Sequence, residues 1–218
     1  MITLTNITKS YRTKSGRVDA LSGVSLSIDE GSFTMLYGSS GSGKSTLLSI
    51  LGLLEMPTSG EYFIGDENML EKSKKEKTAA RGEKIGFIFQ SFNLIPTLTA
   101  FENAELPLGY RGVPKSERQE RVKKALESVG LGDRMHHRPS ELSGGEQQRA
   151  AIARAMIMKP KILLADEPTG NLDRDTAREI LELIASLDST VVMVSHDEDL
   201  AVYADRVIRL KNGRIVND

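Results

Sequence analysis

The sequence predicts an α/β protein built on a mainly parallel sheet, with a helical segment inserted into it. Three observations lead there. Largely apolar runs at Phe33–Tyr37, Lys161–Ala165 and Thr190–Ser195 have the nearly continuous pattern of strands covered on both faces, and helical stretches separate them. A Gly/Ser-rich turn joins the first of these runs directly to a helix. From about Ser91 to Glu141 the strand patterns stop and a strongly charged helical segment takes over.

The elements follow in order. Residues 2–9 and 24–28 alternate apolar and polar, as half-buried strands do. After the Phe33–Tyr37 strand a helix is expected over Lys44–Leu54, stopped by Pro57. Glu61–Ile64 and Lys84–Gln90 read as further strands, and the charged run Glu71–Lys77 between them reads as a solvated linker or helix face. In the inserted segment, a helix over Ser116–Val129 gathers Val122, Ala125, Leu126 and Val129 on one face. A helix (Gly145–Met158), a strand (Lys161–Ala165), a helix (Asp175–Leu187) and a strand (Thr190–Ser195) come next. A short helix (Asp197–Tyr203) and two strands about Asn212-Gly213 complete the pattern.

Composition bounds the function. The 218 residues suffice for one large domain, or one domain carrying a small inserted subdomain. Lys and Arg number 29 against 30 Asp and Glu, a net charge of −1, so the basic excess of a dedicated nucleic-acid binder is missing. There is no cysteine, which excludes disulfides, thiolate metal sites and cysteine nucleophiles. The apolar stretches fall well short of the roughly 20 residues that cross a bilayer. The first residues, Met1-Ile2-Thr3-Leu4, lack the features of a signal peptide, and a cytoplasmic location is expected.

Three motifs carry chemistry. Gly38-Ser39-Ser40-Gly41-Ser42-Gly43-Lys44-Ser45 has the spacing of a phosphate loop, placed between a buried strand and a helix. Its glycines let successive backbone N–H groups turn inward on phosphate oxygens at a helix N-terminus. Lys44 is then the candidate to bridge β- and γ-phosphates, and the Ser45 hydroxyl the candidate Mg²⁺ ligand. The strand ending in Asp166-Glu167 supplies the acidic element such a loop needs. Successive strand residues face opposite ways, so different tasks are expected: Asp166 for the hydrated metal, Glu167 as general base for water. In Leu142-Ser143-Gly144-Gly145-Glu146, Ser143 reads as an N-cap and the two glycines expose N–H groups at a helix start. That is a second anion-binding helix end in one chain, with no second phosphate loop to serve it.

With these motifs in this order the chain resembles, over essentially its whole length, the nucleotide-binding subunit of ABC (ATP-binding cassette) transporters. The resemblance implies a P-loop ATPase fold with an N-terminal antiparallel β-subdomain. Residues 1–90 and 142–218 would form the core and about 91–141 the inserted helical subdomain, with the signature Leu142–Glu146 at its end. Smaller elements then match family features. Gln90 matches the Q-loop glutamine, which reaches Mg²⁺ and links the ATP site to a transmembrane partner. Leu172-Asp173 matches the D-loop that crosses the dimer interface, and His196 the switch histidine at the γ-phosphate. Tyr11 matches the aromatic that stacks on adenine, Val18 lies behind the ribose, and Thr46 adjoins the bound nucleotide. Taken singly, a glutamine, histidine or tyrosine at such places is more often structural; the family pattern is what singles them out.

The resemblance implies ATP and Mg²⁺ as cofactors and a head-to-tail homodimer closed on two ATP. Ser143, Gly144, Gly145 and Glu146 of one copy would then face the nucleotide held by the other. A separate transmembrane permease would be contacted through the helical subdomain and Q-loop, placing the chain on the inner face of the membrane. The stretches Asp166–Asp173, Phe89–Pro96 and Arg138–Gly145 are most similar to the subgroup of macrolide-export, lipoprotein-release and cell-division ATPases. The alternative is a soluble ABC ATPase without a transporter, of the iron–sulfur assembly type. His136-His137 read as solvated loop histidines, and Met35, Met156, Met158 and Met193 as core.

Overall fold

The alternation at the N-terminus becomes two long strands, β1 (Ile2–Thr13) and β2 (Gly16–Ile28), in a computed structural model that describes residues 1–13 and 16–216. Both outrun the expected 2–9 and 24–28. Their outer halves are mostly polar, and Tyr11, Arg12 and Gly16–Asp19 are exposed, so no apolar alternation marks them, and pairing from Ser10↔Asp19 to Thr13↔Gly16 makes them strands. The chain divides into two compact units, Met1–Arg81 with Ser189–Asp218, and Gly82–Asp188.

In the first unit β3 (Phe33–Tyr37) runs into α1 (Lys44–Leu51), which stops at Gly52 because Leu53 turns left-handed (φ 54°). The helix thus ends before the Leu54 expected of it. β4 (Ser59–Ile64) and β5 (Glu67–Asn68) follow. The order β2-β1-β4-β5 is antiparallel throughout, the β-subdomain that the resemblance implied. Its inner face buries Ile2, Leu4, Leu26, Ile28 and Tyr62, and the Tyr62 hydroxyl donates to the Leu51 carbonyl at 2.6 Å. The charged run opens α2 (Lys74–Lys84), in which Ala80 is the buried residue.

The second unit begins with β6 (Ile85–Phe89) and a helical stretch of α3 (Ala100–Tyr110) and α4 (Lys115–Ser128). The apolar face foreseen on α4 is buried at Val122, Leu126 and Val129. α3 has no counterpart in the sequence reading, because Pro107 sits inside it and reads as a breaker. A capping box starts it: the Thr99 hydroxyl accepts from Glu102 N while the Glu102 carboxylate accepts from Thr99 N. α5 (Gly144–Met156) packs against α3 and α4; then β7 (Ile162–Asp166), parallel to β6, and α6 (Arg174–Ala185).

The chain returns to the first unit as β8 (Thr190–Ser195), β9 (Arg206–Lys211) and β10 (Arg214–Val216). β3 lies between β8 and β9, parallel to both, and β9 turns through Asn212 (φ 50°) and Gly213 (φ 71°) into antiparallel β10. Positive φ at both turn residues suits the twist of a tight hairpin.

Tyr62 is fully buried, so Tyr62→Phe strands the Leu51 carbonyl without a donor. We expect a loss of about 1–3 kcal/mol of stability, measured by urea unfolding; an unchanged midpoint would show that the bond contributes nothing.

Candidate functional site

In the first unit, parallel pairing sets the loop beside the histidine. Tyr37 and Ser195 are the last paired residues of β3 and β8, so Gly38 and His196 are the next residues off adjacent strand ends. The loop turns left-handed at Gly41 (φ 77°) and Gly43 (φ 105°) before α1 begins. A Cβ at Gly43 would stand 2.6 Å from the Ala20 carbonyl, so φ and space both demand glycine there. The loop is also tied from outside, since Gly213 N donates to Ser42 O at 2.9 Å. Lys44 is buried, and its ammonium donates to the carbonyls of Gly38 (2.6 Å) and Ser39 (3.0 Å). Ser45 is exposed at the head of α1, with Thr46 half-buried beside it. Tyr11 and Val18 are register partners across β1 and β2, so their side chains share a face, and both are exposed. The Lys9 ammonium lies 5.0 Å from the Tyr11 ring centre.

In the second unit the last register pair of β6 and β7 is Phe89↔Asp166, so Gln90 and Glu167 again leave adjacent strand ends together. Glu167 does not continue the strand. Its φ of 44° is left-handed, which corrects the expectation drawn from strand alternation: a backbone turn, not the pleat, sets its direction. A non-glycine residue held there is strained, and such strain concentrates where side chains are aimed for function. The Asn171 amide donates to the Gln90 carbonyl at 3.0 Å, and a Cβ at Gly170 would stand 2.6 Å from the Gln90 amide nitrogen. Asp173 caps α6, accepting from Thr176 N at 3.0 Å; the Thr176 hydroxyl first, and then that N–H, hold its carboxyl below the usual range.

The signature forms the start of α5. The Ser143 hydroxyl accepts from Glu146 N (3.3 Å) and the Glu146 carboxylate accepts from Ser143 N (2.8 Å), a closed capping box. A helix start has four N–H groups without intrahelical partners. The box takes two of them, and the two that it leaves belong to Gly144 and Gly145. The glycines have a packing role as well: a Cβ on Gly145 would stand 2.5 Å from Thr176 Cγ2 on α6, and one on Gly144 3.2 Å from Leu172 Cδ2.

Two side chains escaped the sequence reading. Gln148, fully buried, donates its amide to the Pro168 carbonyl and lies 3.5 Å from that of Phe89. Arg154 donates to the carbonyls of Phe92 and Asn93. The available signal was an amide at Gln148 in apolar helical register with Ala151 and Ile152. His136 stacks on Phe101, with ring centres 6.3 Å apart, and the Arg134 guanidinium lies 3.3 Å from His137 Nε2. Met35 and Met193 are fully buried; Met156 and Met158 are half-buried.

A family model described as ABC transporter matches residues 21–170, which take in the phosphate loop, Gln90, the signature and Glu167. The chain belongs to the ABC transporter family. An ABC transporter ATP-binding protein of Thermotoga maritima is 50% identical over 97% of this chain and 92% of its own length. A macrolide export ATP-binding/permease protein, MacB of Hyphomonas neptunium, is 43% identical over all of this chain, which spans 34% of that protein. Among solved structures, a post-hydrolysis dimer of the ATP-binding cassette MJ0796 bound to ADP and Pi has a TM-score of 0.91. It is 44% identical and is covered over 100% of this chain and 97% of that one. The chain is thus an ATP-hydrolysing cassette of the transporter type, of the subgroup its motifs indicated.

The Glu146 carboxyl is held below its ordinary range first by the Ser143 backbone N–H, then by the Ser143 hydroxyl and the charges of Arg134 and His137. A depressed folded-state pKa stabilises above the unfolded value and loses that contribution as pH falls through the folded one. Glu146→Gln should therefore make stability fall less steeply between about pH 5 and pH 3, read from urea unfolding across that range. Identical slopes in variant and wild type would contradict the capping role of the charge.

Proposed function

We propose that this cassette is the motor subunit of a membrane ABC complex, in which two copies close head to tail on two ATP and hydrolysis reopens them. The observation that carries the reading is the start of α5, where the capping box leaves the N–H groups of Gly144 and Gly145 for an anion. A γ-phosphate held by a second copy is an anion of the right kind, and the helix dipole favours it. Nucleotide then binds the closed dimer more tightly than the separate copies, and such differential affinity is what lets its hydrolysis drive motion.

Within each site the residues divide the work. The loop Gly38–Ser45 and Thr46 cradle the phosphates, with Lys44 leaving its two carbonyl partners for the β- and γ-phosphates. Tyr11 and Val18, side by side on their hairpin, take the adenine and ribose. Ser45, Asp166 and Gln90 offer hydroxyl, carboxylate and amide oxygens, the hard donors Mg²⁺ prefers, so the residues fit the ion. When bound, the ion neutralises charge on the transferring phosphate. Glu167 orients and deprotonates the attacking water, His196 contacts the γ-phosphate, and Asp173 lies at the interface between copies.

Among the described residues no helix is long and apolar enough to cross a membrane. We assign the membrane-spanning part to a separate permease, contacted through α3, α4 and the loop after Gln90 on the inner face of the membrane. The fused ATP-binding/permease naming of the MacB relative supports that pairing.

Glu167→Gln keeps a side chain that can hold water but cannot take its proton. We expect ATP binding to persist, turnover to fall about 100-fold or more, and an ATP-dependent dimer to accumulate in light scattering. Wild-type turnover, or no ATP-dependent dimer, would contradict the assignment.

A further inference from the structure

The capping box explains how α5 presents the signature, but nothing so far explains how the helix bears on the water-activating side of the site. Its residue Gln148 lies one turn in from the cap and is completely buried. Its amide nitrogen donates to the carbonyl of Pro168, the residue after Glu167. The same nitrogen lies 3.5 Å from the carbonyl of Phe89, the residue before Gln90. Both neighbours are acceptors, so the NH₂ end must face them and the side chain cannot flip. The consequence is a cost, because Gln148 Oε1 is then buried without a partner among the described residues. A side chain needed only to fill space would be apolar and free of that penalty.

We propose that Gln148 is a positioning residue for hydrolysis, which fixes the loops carrying Gln90 and Glu167 to each other and to the signature helix. The proposal rests on the catalytic roles assigned above to Glu167 and Gln90. The register of β6 and β7 brings both loops off adjacent strand ends, but strand pairing stops at Phe89↔Asp166. Beyond it Glu167 turns left-handed (φ 44°), and so do Phe92 (φ 58°) and Asn93 (φ 50°) past Gln90. Two loops leaving regular structure through strained residues need external ties to keep one geometry. Gln148 ties them at their roots and Asn171 joins them further out. Arg154, on the same helix, holds the Gln90 loop alone, at the Phe92 and Asn93 carbonyls. A partner's phosphate docked on the first turn of α5 thus bears on a helix anchored to both catalytic loops.

The test replaces Gln148 with Met, which keeps the bulk and removes the donor, and with Glu. The Glu variant can donate to Pro168 O only when its carboxyl is protonated. For Gln148→Met we expect kcat to fall at least tenfold with KM for ATP changed less than threefold. In the Glu167→Gln background the same change should leave the ATP-dependent dimer intact. For Gln148→Glu, kcat relative to wild type should rise as pH is lowered from about 8.5 to 6, since desolvation raises a buried carboxyl into that range. Should Gln148→Met fail to fold, the pH profile of Gln148→Glu decides. A kcat for Gln148→Met within twofold of wild type, a flat relative profile for Gln148→Glu, or loss of the dimer would overturn the proposal. Wild type and Glu167→Gln in the same assays separate this outcome from failure of the catalytic assignment. If those two turn over alike, the role of Glu167 is wrong; if they differ as expected and Gln148→Met is normal, the positioning role alone is wrong.

Discussion

The division of four N–H groups at the start of α5 is the constraint on which the functional geometry depends. A helix N-terminus that satisfied every donor itself would have nothing to offer a ligand, and one that satisfied none would fray. Here the reciprocal bonds of Ser143 and Glu146 hold the turn in place while leaving the donors of Gly144 and Gly145. The close approach of Thr176 on α6 makes glycine a steric requirement at 145, so the residue that opens the helix end is also the one that lets α6 pack. Packing and the proposed binding role ask for the same residue.

Parallel strand ends do the other half of the positioning. Tyr37↔Ser195 in the first unit and Phe89↔Asp166 in the second are the last pairs of their ladders, and each delivers two of the proposed site residues into adjacent loops. Ligand sites in open α/β sheets lie beyond the carboxyl ends of the strands, where the chain must leave regular structure. The backbone there pays for function in conformation, with left-handed residues at Gly41, Gly43 and Glu167. The Lys44 ammonium meanwhile occupies carbonyls of its own loop, so the buried charge is compensated there.

How legible was this in the sequence? Strands buried on both faces were plain, because an unbroken apolar run such as Ile162–Ala165 leaves no competing period. The chemistry-bearing loops were plain for a different reason: glycine, lysine and adjacent carboxylates at fixed spacing leave few alternatives. What was hidden depended on partners distant in the chain. The outer halves of β1 and β2 are strands through pairing alone, and α3 overrides Pro107 with a capping box and packing against α5. The direction of Glu167 came from a backbone turn that the alternation rule does not anticipate. Gln148 was invisible because its two acceptors, on Phe89 and Pro168, lie far from it in sequence.

The central claim is that each hydrolytic site is completed by the signature of a second copy, and a mixing experiment addresses it most directly. Ser143→Arg puts a cation where the partner's phosphate would dock and leaves that chain's own phosphate loop intact. Lys44→Ala damages the loop and leaves the signature intact. Each variant alone should be inactive, with Ser143→Arg monomers still binding ATP. Their mixture should recover part of the wild-type turnover, through heterodimers that carry one undamaged site and one site with both lesions. No recovery in a mixture whose heterodimers are demonstrated, or loss of ATP binding by Ser143→Arg monomers, would place Ser143 outside a shared site and contradict the account.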